Sequence, residues 1–209
     1  MIQKGQLYII SAPSGAGKTS LVKALISKIH NILPAVSHTT RKCREGEVHA
    51  RDYYFVEDGV FQEMIECGAF LEYATVFENY YGTSKKEVDK KRSEGIDVIL
   101  EIDWQGARQI QQMVPDAKSI FILPPSLQAL HDRLKNRDLD DENVIQKRMT
   151  SAQHEMVHYD EYQYLIINDV FEDALNQLCA IVISNKLTLK NQQYDHQTLI
   201  NELLGNTQK

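Results

Sequence analysis

The chain has 209 residues, of which 43% are apolar and 25% are charged, and its formal net charge is −6 at neutral pH. This composition excludes a protein dominated by disorder and suffices for a substantial buried core. The negative net charge argues against nonspecific nucleic-acid binding, because a phosphate backbone requires a basic surface. Any bound anion must therefore be held locally, in a pocket.

Neither export nor metal binding through cysteines is indicated. No stretch approaches the roughly 18 consecutive apolar residues of a membrane span, and the first residues lack the charged and apolar regions of a signal peptide. We therefore expect a cytoplasmic protein without membrane association. Cys43, Cys67 and Cys179 are far apart and form no C-x-x-C pair, which argues against a disulfide framework and a zinc site.

A glycine-rich segment follows the apolar run from Leu7 to Ile10 and precedes a helical pattern. In this context backbone N–H groups surround a β-phosphate, a lysine reaches the β- and γ-phosphates, and a hydroxyl helps hold Mg²⁺. Lys18 and Thr19 would fill the last two roles. Ala12 replaces the first glycine of the usual pattern, which the turn can accept if its φ is negative. This phosphate loop consists of Ala12, Pro13, Ser14, Gly15, Ala16, Gly17, Lys18 and Thr19.

Strand-like runs alternate with helical patterns, which is typical of a parallel sheet covered by helices on both faces. Four runs have the near-continuous hydrophobicity of strands buried on two faces. They are Leu7 to Ile10, Asp97 to Ile102, Ser119 to Leu123 and Tyr164 to Ile167. A helix is predicted from Gly17 to Ile29, with the phosphate loop at the end where its dipole favours anions. The predicted fold class is α/β, with a parallel sheet of the P-loop NTPase type.

Between about residues 35 and 85 the pattern changes to short aromatic strands. These are Tyr53 to Val56, Phe70 to Ala74 and Tyr80 to Thr83, with one helix near Val60 to Cys67. They predict a small α+β unit, the insert, within the α/β core. Its tyrosines suit a surface that grips a planar ligand, although tyrosines packed in a small half-buried sheet give the same pattern.

A helical lid is predicted over about residues 126 to 159. Ser126 is a good N-cap for a helix reaching Lys135, and a longer helix with an apolar stripe follows a polar connector. Arg133 and Arg137 face the same way, while Arg148 comes from the second helix. A solvated basic face, paired with Asp138, Asp140, Asp141 and Glu142, is the alternative.

The polar C-terminal tail, about residues 185 to 209, is rich in Asn and Gln. It carries a short amphipathic pattern made of Leu199, Ile200, Leu203 and Leu204. This pattern predicts docking on the body of the protein or on a second subunit, so a homo-oligomer such as a dimer stays an open alternative.

The motifs, taken in order, resemble the guanylate kinase family in its bacterial form. They comprise the phosphate loop and residues 36–41, 44–47, 52–53, 70–74, 79–83, 97–106, 121–126 and 167–169. The resemblance covers about residues 5–184 and implies a core of about 1–34, 86–125 and 160–184, a GMP-binding insert of 35–85 and a lid of 126–159. It implies Mg²⁺-dependent transfer of the γ-phosphoryl group of ATP to GMP, in purine nucleotide metabolism.

A GMP-binding site is implied by the same resemblance. Arg41 and Arg44, with two tyrosine hydroxyls, would hold the acceptor phosphate, since planar guanidinium groups suit phosphate oxygens. Glu72 would select guanine, because its carboxylate can accept from N1–H and N2–H whereas adenine presents a lone pair at N1. Two hydroxyls, including that of Thr83, would donate to O6. The implied GMP-binding residues are Ser37, Arg41, Arg44, Tyr53, Glu72, Tyr81, Thr83 and Asp103.

For catalysis the resemblance implies a set of cations and no general base. The attacking group is an ionised phosphate oxygen, so positioning and charge neutralisation are sufficient. The implied catalytic residues are Lys18, Arg41, Arg133, Arg137 and Arg148.

Three further assignments are less specific. Glu101 and Asp103 end a core strand, where a carboxylate can hold a Mg²⁺-bound water, but Asp103 could instead reach the guanine amine. Asn168 and Asp169 stand where the adenine of ATP is expected, although an Asn-Asp pair is also a routine turn.

Two alternative functions share this architecture. A kinase-like interaction module would typically have a damaged phosphate loop, whereas Gly17, Lys18 and Thr19 are intact. A kinase with another acceptor, such as a different nucleotide or a sugar phosphate, is the closer alternative. Closure of the insert and the lid is expected in either kinase, because an open site would let water accept the phosphoryl group. The expected hinges lie near Pro34, Lys85 and Pro125.

Overall fold

The computed structural model describes residues 3–76, 78–137 and 142–205, and it describes the side chains of neither Asn136, Arg137 nor Glu142. The alternative in which the lid arginines pair with the acidic connector falls outside this description. The described strands are β1 (Leu7–Ser11), β2 (Ile32–Pro34), β3 (His38–Thr39), β4 (Tyr54–Phe55), β5 (Phe70–Val76), β6 (Asn79–Ser84), β7 (Asp97–Glu101), β8 (Lys118–Leu123) and β9 (Tyr164–Ile167). The described helices are α1 (Lys18–Lys28), α2 (Asp58–Glu66), α3 (Lys85–Ser93), α4 (Trp104–Met113), α5 (Leu127–Arg137), α6 (Glu142–Met156), α7 (Phe171–Lys186), α8 (Leu189–Asp195) and α9 (Gln197–Leu203).

The central sheet is parallel throughout, with strand order β2-β7-β1-β8-β9. Successive side chains of β1 point to opposite faces, as a strand requires. Tyr8 and Ile10 join a cluster with α1 and α7, while Leu7 and Ile9 join a second cluster with α3 and α4. The α/β fold class is therefore confirmed, with helices on both faces.

Both edge strands of this sheet differ from the prediction. β2 was not predicted, because it has only three residues and ends in Pro34, which cannot donate to a strand pair. β9 was predicted to be buried on two faces, and this was wrong. Leu165 and Ile167 are exposed, and Ile166 is the one buried residue of this edge strand.

The insert forms a second sheet, with strand order β4-β3-β6-β5. β5 and β6 form an antiparallel pair with a bulge between Phe70 and Glu72. Phe61 of α2 is fully buried and stacks on Phe70 and Tyr80. The predicted strands and helix are confirmed, and aromatic packing fixes the face of the sheet that α2 covers.

The lid helices α5 and α6 pack on each other through a small apolar cluster. Its buried members are Leu130, Leu134, Ile145 and Ala152. The predicted N-cap is present, since the hydroxyl oxygen of Ser126 accepts a 3.0 Å hydrogen bond from the backbone N–H of Ala129.

The C-terminal tail contains two short helices, α8 and α9. Asn191 of α8 accepts a 2.7 Å hydrogen bond from Gln3, which ties the tail to the N-terminal segment. Leu199, Leu203 and Leu204 remain at least half exposed, so the expected contact with a second subunit stays a prediction. Among the described residues, no helix has both the length and the apolar character needed to cross a membrane.

Candidate active site

The phosphate loop joins β1 to α1 and relies on two glycines with left-handed backbone angles. Gly15 has φ 90° and Gly17, the N-cap of α1, has φ 94°, a region that favours glycine. Ala12 is nearly buried and does not have a positive φ, so its methyl group fits the turn as expected. A Cβ on Gly15 would lie 3.0 Å from methyl carbons of Leu130 and Leu134, so α5 packs directly on the loop.

Thr19 and Glu101 bring two oxygen groups together beside the loop. The hydroxyl of Thr19 donates a 3.1 Å hydrogen bond to Oε2 of Glu101, at the end of β7. Hydroxyl and carboxylate oxygens suit Mg²⁺, which uses few protein ligands when it also binds substrate phosphates. Accordingly, no cluster of three or more acidic, His or Cys ligands occurs in the described ranges.

Asn168 connects the phosphate loop to Arg133. Its buried side-chain amide donates a 2.7 Å hydrogen bond to the carbonyl oxygen of Ala16. Its own backbone carbonyl accepts a 2.8 Å hydrogen bond from Nη2 of Arg133, while Nη1 of Arg133 is buried without a partner in the described structure. Asn168 thus holds the phosphate loop and Arg133 in place, whereas Asp169 lies exposed in the turn before α7.

The lid contributes a residue that the sequence analysis missed, Glu155. Burial raises the pKa of its carboxyl group to about 7, the positive charge of Lys18 lowers it, and Asp103 raises it further. Glu155 and Asp103 both line a cavity of about 150 Å³ between the insert, α4 and α6. Arg148 lies half-buried on the same helix, and the side chain of Arg137 is outside the description.

The predicted acceptor-phosphate loop is internally paired through Glu47. Both terminal nitrogens of Arg41 donate to its carboxylate, at 3.0 and 2.8 Å, and the backbone N–H of Arg44 donates at 2.8 Å. The hydrogen bond from Arg41 is the main reason that the pKa of Glu47 is lowered. The guanidinium carbon of Arg41 lies 5.4 Å from the ring centroid of Tyr53, which contacts the ring of Tyr81 edge-on.

Glu72 lies at the other end of the insert and is almost fully buried. Thr83 donates a 2.5 Å hydrogen bond to its Oε1, and the hydroxyls of Thr83 and Ser37 are 3.4 Å apart. Burial raises the pKa of Glu72 to about 7, although hydrogen bonds from Thr83 favour the charged form. Asp103 is the N-cap of α4, with its Oδ1 accepting from the backbone N–H of Gly106 at 3.0 Å.

The topology explains why these distant residues meet. Carboxyl ends of parallel strands lie at one edge of a sheet, where α/β proteins bind their ligands. The phosphate loop follows β1, Glu101 ends β7 and Asn168 follows β9. The side-chain amide of Gln109 on α4 hydrogen-bonds to both backbone groups of Tyr73 and so joins the insert to this edge. The buried carboxylate of Glu72 therefore lies against the first turn of α4, at the same edge of the sheet that carries the phosphate loop.

Comparison with known proteins identifies relatives over nearly the whole chain. The guanylate kinase family model matches residues 4–185. Guanylate kinase of Saccharophagus degradans is 54% identical over 205 residues, covering 98% of this chain and 100% of the relative. The corresponding protein of Escherichia coli O157:H7 is 52% identical, covering 97% of this chain and 99% of the relative.

A solved structure agrees with these matches. The crystal structure of guanylate kinase from Anaplasma phagocytophilum superposes with a TM-score of 0.73 and 31% identity, covering 90% of this chain and 89% of that one. Family match, sequence identity and fold all lead to one conclusion: the chain belongs to the guanylate kinase family.

Proposed function

We propose that this protein is an ATP:GMP phosphotransferase, which converts ATP and GMP to ADP and GDP. The observation that carries this proposal is the buried Glu72–Thr83 pair, which lies against the first turn of α4 at the sheet edge that also carries an intact phosphate loop. A carboxylate held away from water discriminates strongly between ligands, because an unpaired buried acceptor is costly. Family membership supports the same reaction.

On the donor side, the backbone N–H groups of the phosphate loop would surround the β-phosphate, and Lys18 would reach the β- and γ-phosphates. Arg133 is held by the carbonyl of Asn168 through one nitrogen, which leaves its buried Nη1 as a donor for the transferring group. Arg137 and Arg148 would add positive charge from the lid. These cations stabilise negative charge that develops in the transition state.

Mg²⁺ fits the oxygen groups beside the loop. Thr19 would hold the ion through its hydroxyl, and Glu101, its hydrogen-bond partner, would hold a water of the ion. When bound, Mg²⁺ neutralises charge on the ATP phosphates. Asp103 is then available to the guanine base, and its negative charge raises the pKa of the neighbouring Glu72.

On the acceptor side, Arg41 and Arg44 would hold the GMP phosphate, assisted by the hydroxyls of Tyr53 and Tyr81. Glu47 fixes the guanidinium plane of Arg41 and the backbone of Arg44 in advance. This pre-positioning lowers the entropic cost of aligning the phosphate for in-line attack. The attacking oxygen is already ionised, so no residue must remove a proton.

Guanine would be selected by Glu72 and Ser37. The carboxylate accepts from N1–H and N2–H of the base, which adenine cannot reproduce. The single hydroxyl proton of Thr83 is donated to Glu72, so the hydrogen bond to guanine O6 falls to Ser37. Asp103 would contact the guanine amine.

Adenine of ATP would lie beside Asn168 and Asp169. The Nδ2 group of Asn168 is used by Ala16, so its Oδ1 would accept from the adenine amino group. The insert, about residues 35–85, and the lid, about residues 126–159, would close over the two nucleotides and exclude water.

A coupled assay of ADP formation tests the proposed function. With ATP and Mg²⁺, GMP should be the preferred acceptor among GMP, AMP, CMP and UMP. Faster turnover of any of the other three would overturn the assignment and favour a kinase with another acceptor. Absence of turnover with every acceptor, in a folded protein that binds GMP, would favour the interaction module.

A further inference from the structure

We infer that Gly106 is a positioning residue for guanine recognition, because the absence of a side chain there provides the space that the carboxylate of Glu72 occupies. The inference rests on the proposed function, since it concerns the same guanine site. It adds a residue of the core helix α4 to a specificity element whose other members are three residues of the insert (Ser37, Glu72 and Thr83) and Asp103, the N-cap of α4.

The geometry at Gly106 leaves no room for a methyl group. A Cβ built there would lie far inside van der Waals contact of Oε2 of Glu72, and 3.1 Å from its Cδ. The next nearest atom, Cβ of Ile102, is at an ordinary distance of 3.4 Å. The carboxylate of Glu72 is therefore the group that would have to move.

Backbone conformation does not explain the glycine. Gly106 lies in the first turn of α4 and does not have a positive φ, so any L-residue could adopt its backbone angles. Glycine is also among the poorest helix formers. The close approach of the Glu72 carboxylate therefore explains why glycine occupies position 106.

Neighbouring contacts prevent Glu72 from simply retreating. Its Oε1 is held by Thr83, which is its register partner on β6. The next residue, Tyr73, is fixed to α4 by Gln109, which accepts from its N–H at 3.2 Å and donates to its carbonyl at 2.8 Å. A side chain at position 106 must therefore rotate the carboxylate or pull β5 away from α4.

Either movement would weaken guanine binding more than any other property of the site. Two hydrogen bonds from the base require the carboxylate plane and both oxygens in fixed positions. The donor site would be spared, since the phosphate loop follows β1 and is held by Asn168. A purely structural defect would instead lower stability and affect both substrates.

The test compares Gly106→Ala with Gly59→Ala. Gly59 is also helical, and a Cβ there would meet nothing within 4 Å, so it is a matched control. For each variant, kcat and KM are measured with ATP and either GMP or IMP, which lacks only the 2-amino group. We expect Gly106→Ala to raise KM for GMP about tenfold and to lower the GMP/IMP ratio of kcat/KM by a similar factor. KM for ATP should change less than about twofold, and Gly59→Ala should match the parent protein.

A double-mutant cycle shows whether Gly106 acts through Glu72. In a Glu72→Ala background the clash disappears, so adding Gly106→Ala should change KM for GMP and the GMP/IMP ratio by less than about twofold. An unchanged GMP/IMP ratio in the single variant, or equal effects in both backgrounds, would contradict the inference.

A second pair of variants applies if Gly106→Ala does not fold. Gln109→Ala removes the amide that fixes Tyr73 to α4, and Gln112→Ala removes an exposed amide from the same helix. Gln109→Ala alone should lower the GMP/IMP ratio, and an unchanged ratio would overturn the inference. If the parent protein does not phosphorylate GMP, the proposed function fails. If it does and the variants keep their selectivity, only the role of Gly106 fails.

Discussion

The hydroxyl of Thr83 donates a 2.5 Å hydrogen bond to Oε1 of Glu72, and the two residues face each other across the β5–β6 pair. This hydrogen bond does not offset the cost of burial, and the pKa of Glu72 is raised to about 7. In the absence of ligand, the carboxyl group therefore changes charge near neutral pH. Its state is coupled to folding and, under the proposed function, to guanine binding.

Folding stability should decrease as pH rises through the range in which Glu72 loses its proton. The folded pKa of about 7 exceeds the value of 4.5 for an unperturbed Glu, so the folded state binds more protons between these values. This contribution is complete below about pH 4.5 and is lost by about pH 7, amounting to about 3 kcal/mol at most. Urea unfolding at pH 5 and pH 8 checks it, with Glu72→Gln as the reference. An equal pH dependence in both proteins would contradict the pKa assignment.

Guanine selectivity should fall when Glu72 loses one acceptor. In Glu72→Gln the amide presents a donor toward one of the two guanine N–H groups, so GMP binding should weaken by about 10- to 100-fold. The GMP/AMP ratio of kcat/KM should decrease correspondingly, as measured by ADP formation. In the parent protein GMP favours the ionised carboxylate, so KM for GMP should rise as pH falls below about 7. The variant should lack this rise, and an unchanged GMP/AMP ratio would remove Glu72 from the specificity site.

Lys18 should be essential for turnover but not for folding. Lys18→Ala removes a positive charge from the transferring phosphates, and kcat should fall by about 1,000-fold or more. Lys23→Ala, an exposed position on the same helix, should retain normal kcat. The ADP assay measures both variants, and thermal unfolding checks that the fold is intact. Normal turnover in Lys18→Ala would refute the role of the phosphate loop.

Glu47 should matter for GMP although it carries the wrong charge to bind phosphate. Glu47→Gln removes the carboxylate that fixes Arg41 and the N–H of Arg44, so KM for GMP should rise about tenfold while KM for ATP stays constant. Glu45→Gln changes an exposed acidic residue of the same loop and provides the control. If KM for GMP decreases, Glu47 competes with the phosphate and does not position Arg41.

Arg133 should not be replaceable by lysine. One of its nitrogens is committed to the carbonyl of Asn168 while another stays available, and a single ammonium group cannot keep this planar arrangement. Arg133→Lys should lower kcat about 10- to 100-fold with little change in KM for GMP. Lys135→Ala, at an exposed position of α5, should leave kcat and KM for GMP unchanged. A lysine variant with full kcat would show that positive charge alone is sufficient.

The local parts of the site could be predicted from sequence, because their function depends on neighbouring residues. The phosphate loop is an example, since its glycines, Lys18 and Thr19 lie within a few residues between a strand and a helix. The strands β1, β7 and β8 were also predicted, because their buried runs are continuous. Of the two edge strands, β9 was predicted with its correct bounds but with too much burial, and β2 was missed because it has only three residues and ends in Pro34.

Residues that act through distant contacts gave no local signal. In the sequence, Glu155 is an ordinary polar residue of a helix. Only the fold brings it near Lys18 and Asp103. In the sequence, Gly106 is only a residue of low helix propensity, and its contact with Glu72 becomes visible only in the fold. The sequence analysis names Asn168 for the adenine of ATP, but not its hydrogen bond to Ala16 of the phosphate loop, 152 positions away. Only the folded arrangement supplies these relationships.

The hydrogen bond between Asn168 and Ala16 also has a consequence for biosynthesis. The phosphate loop leaves the ribosome early, but the residue that holds its backbone carbonyl is translated 152 positions later. A nascent chain that has not yet added β9 therefore lacks both this support and the carbonyl that orients Arg133. The phosphate loop and Arg133 therefore reach their folded arrangement only after residue 168 has been added to the chain.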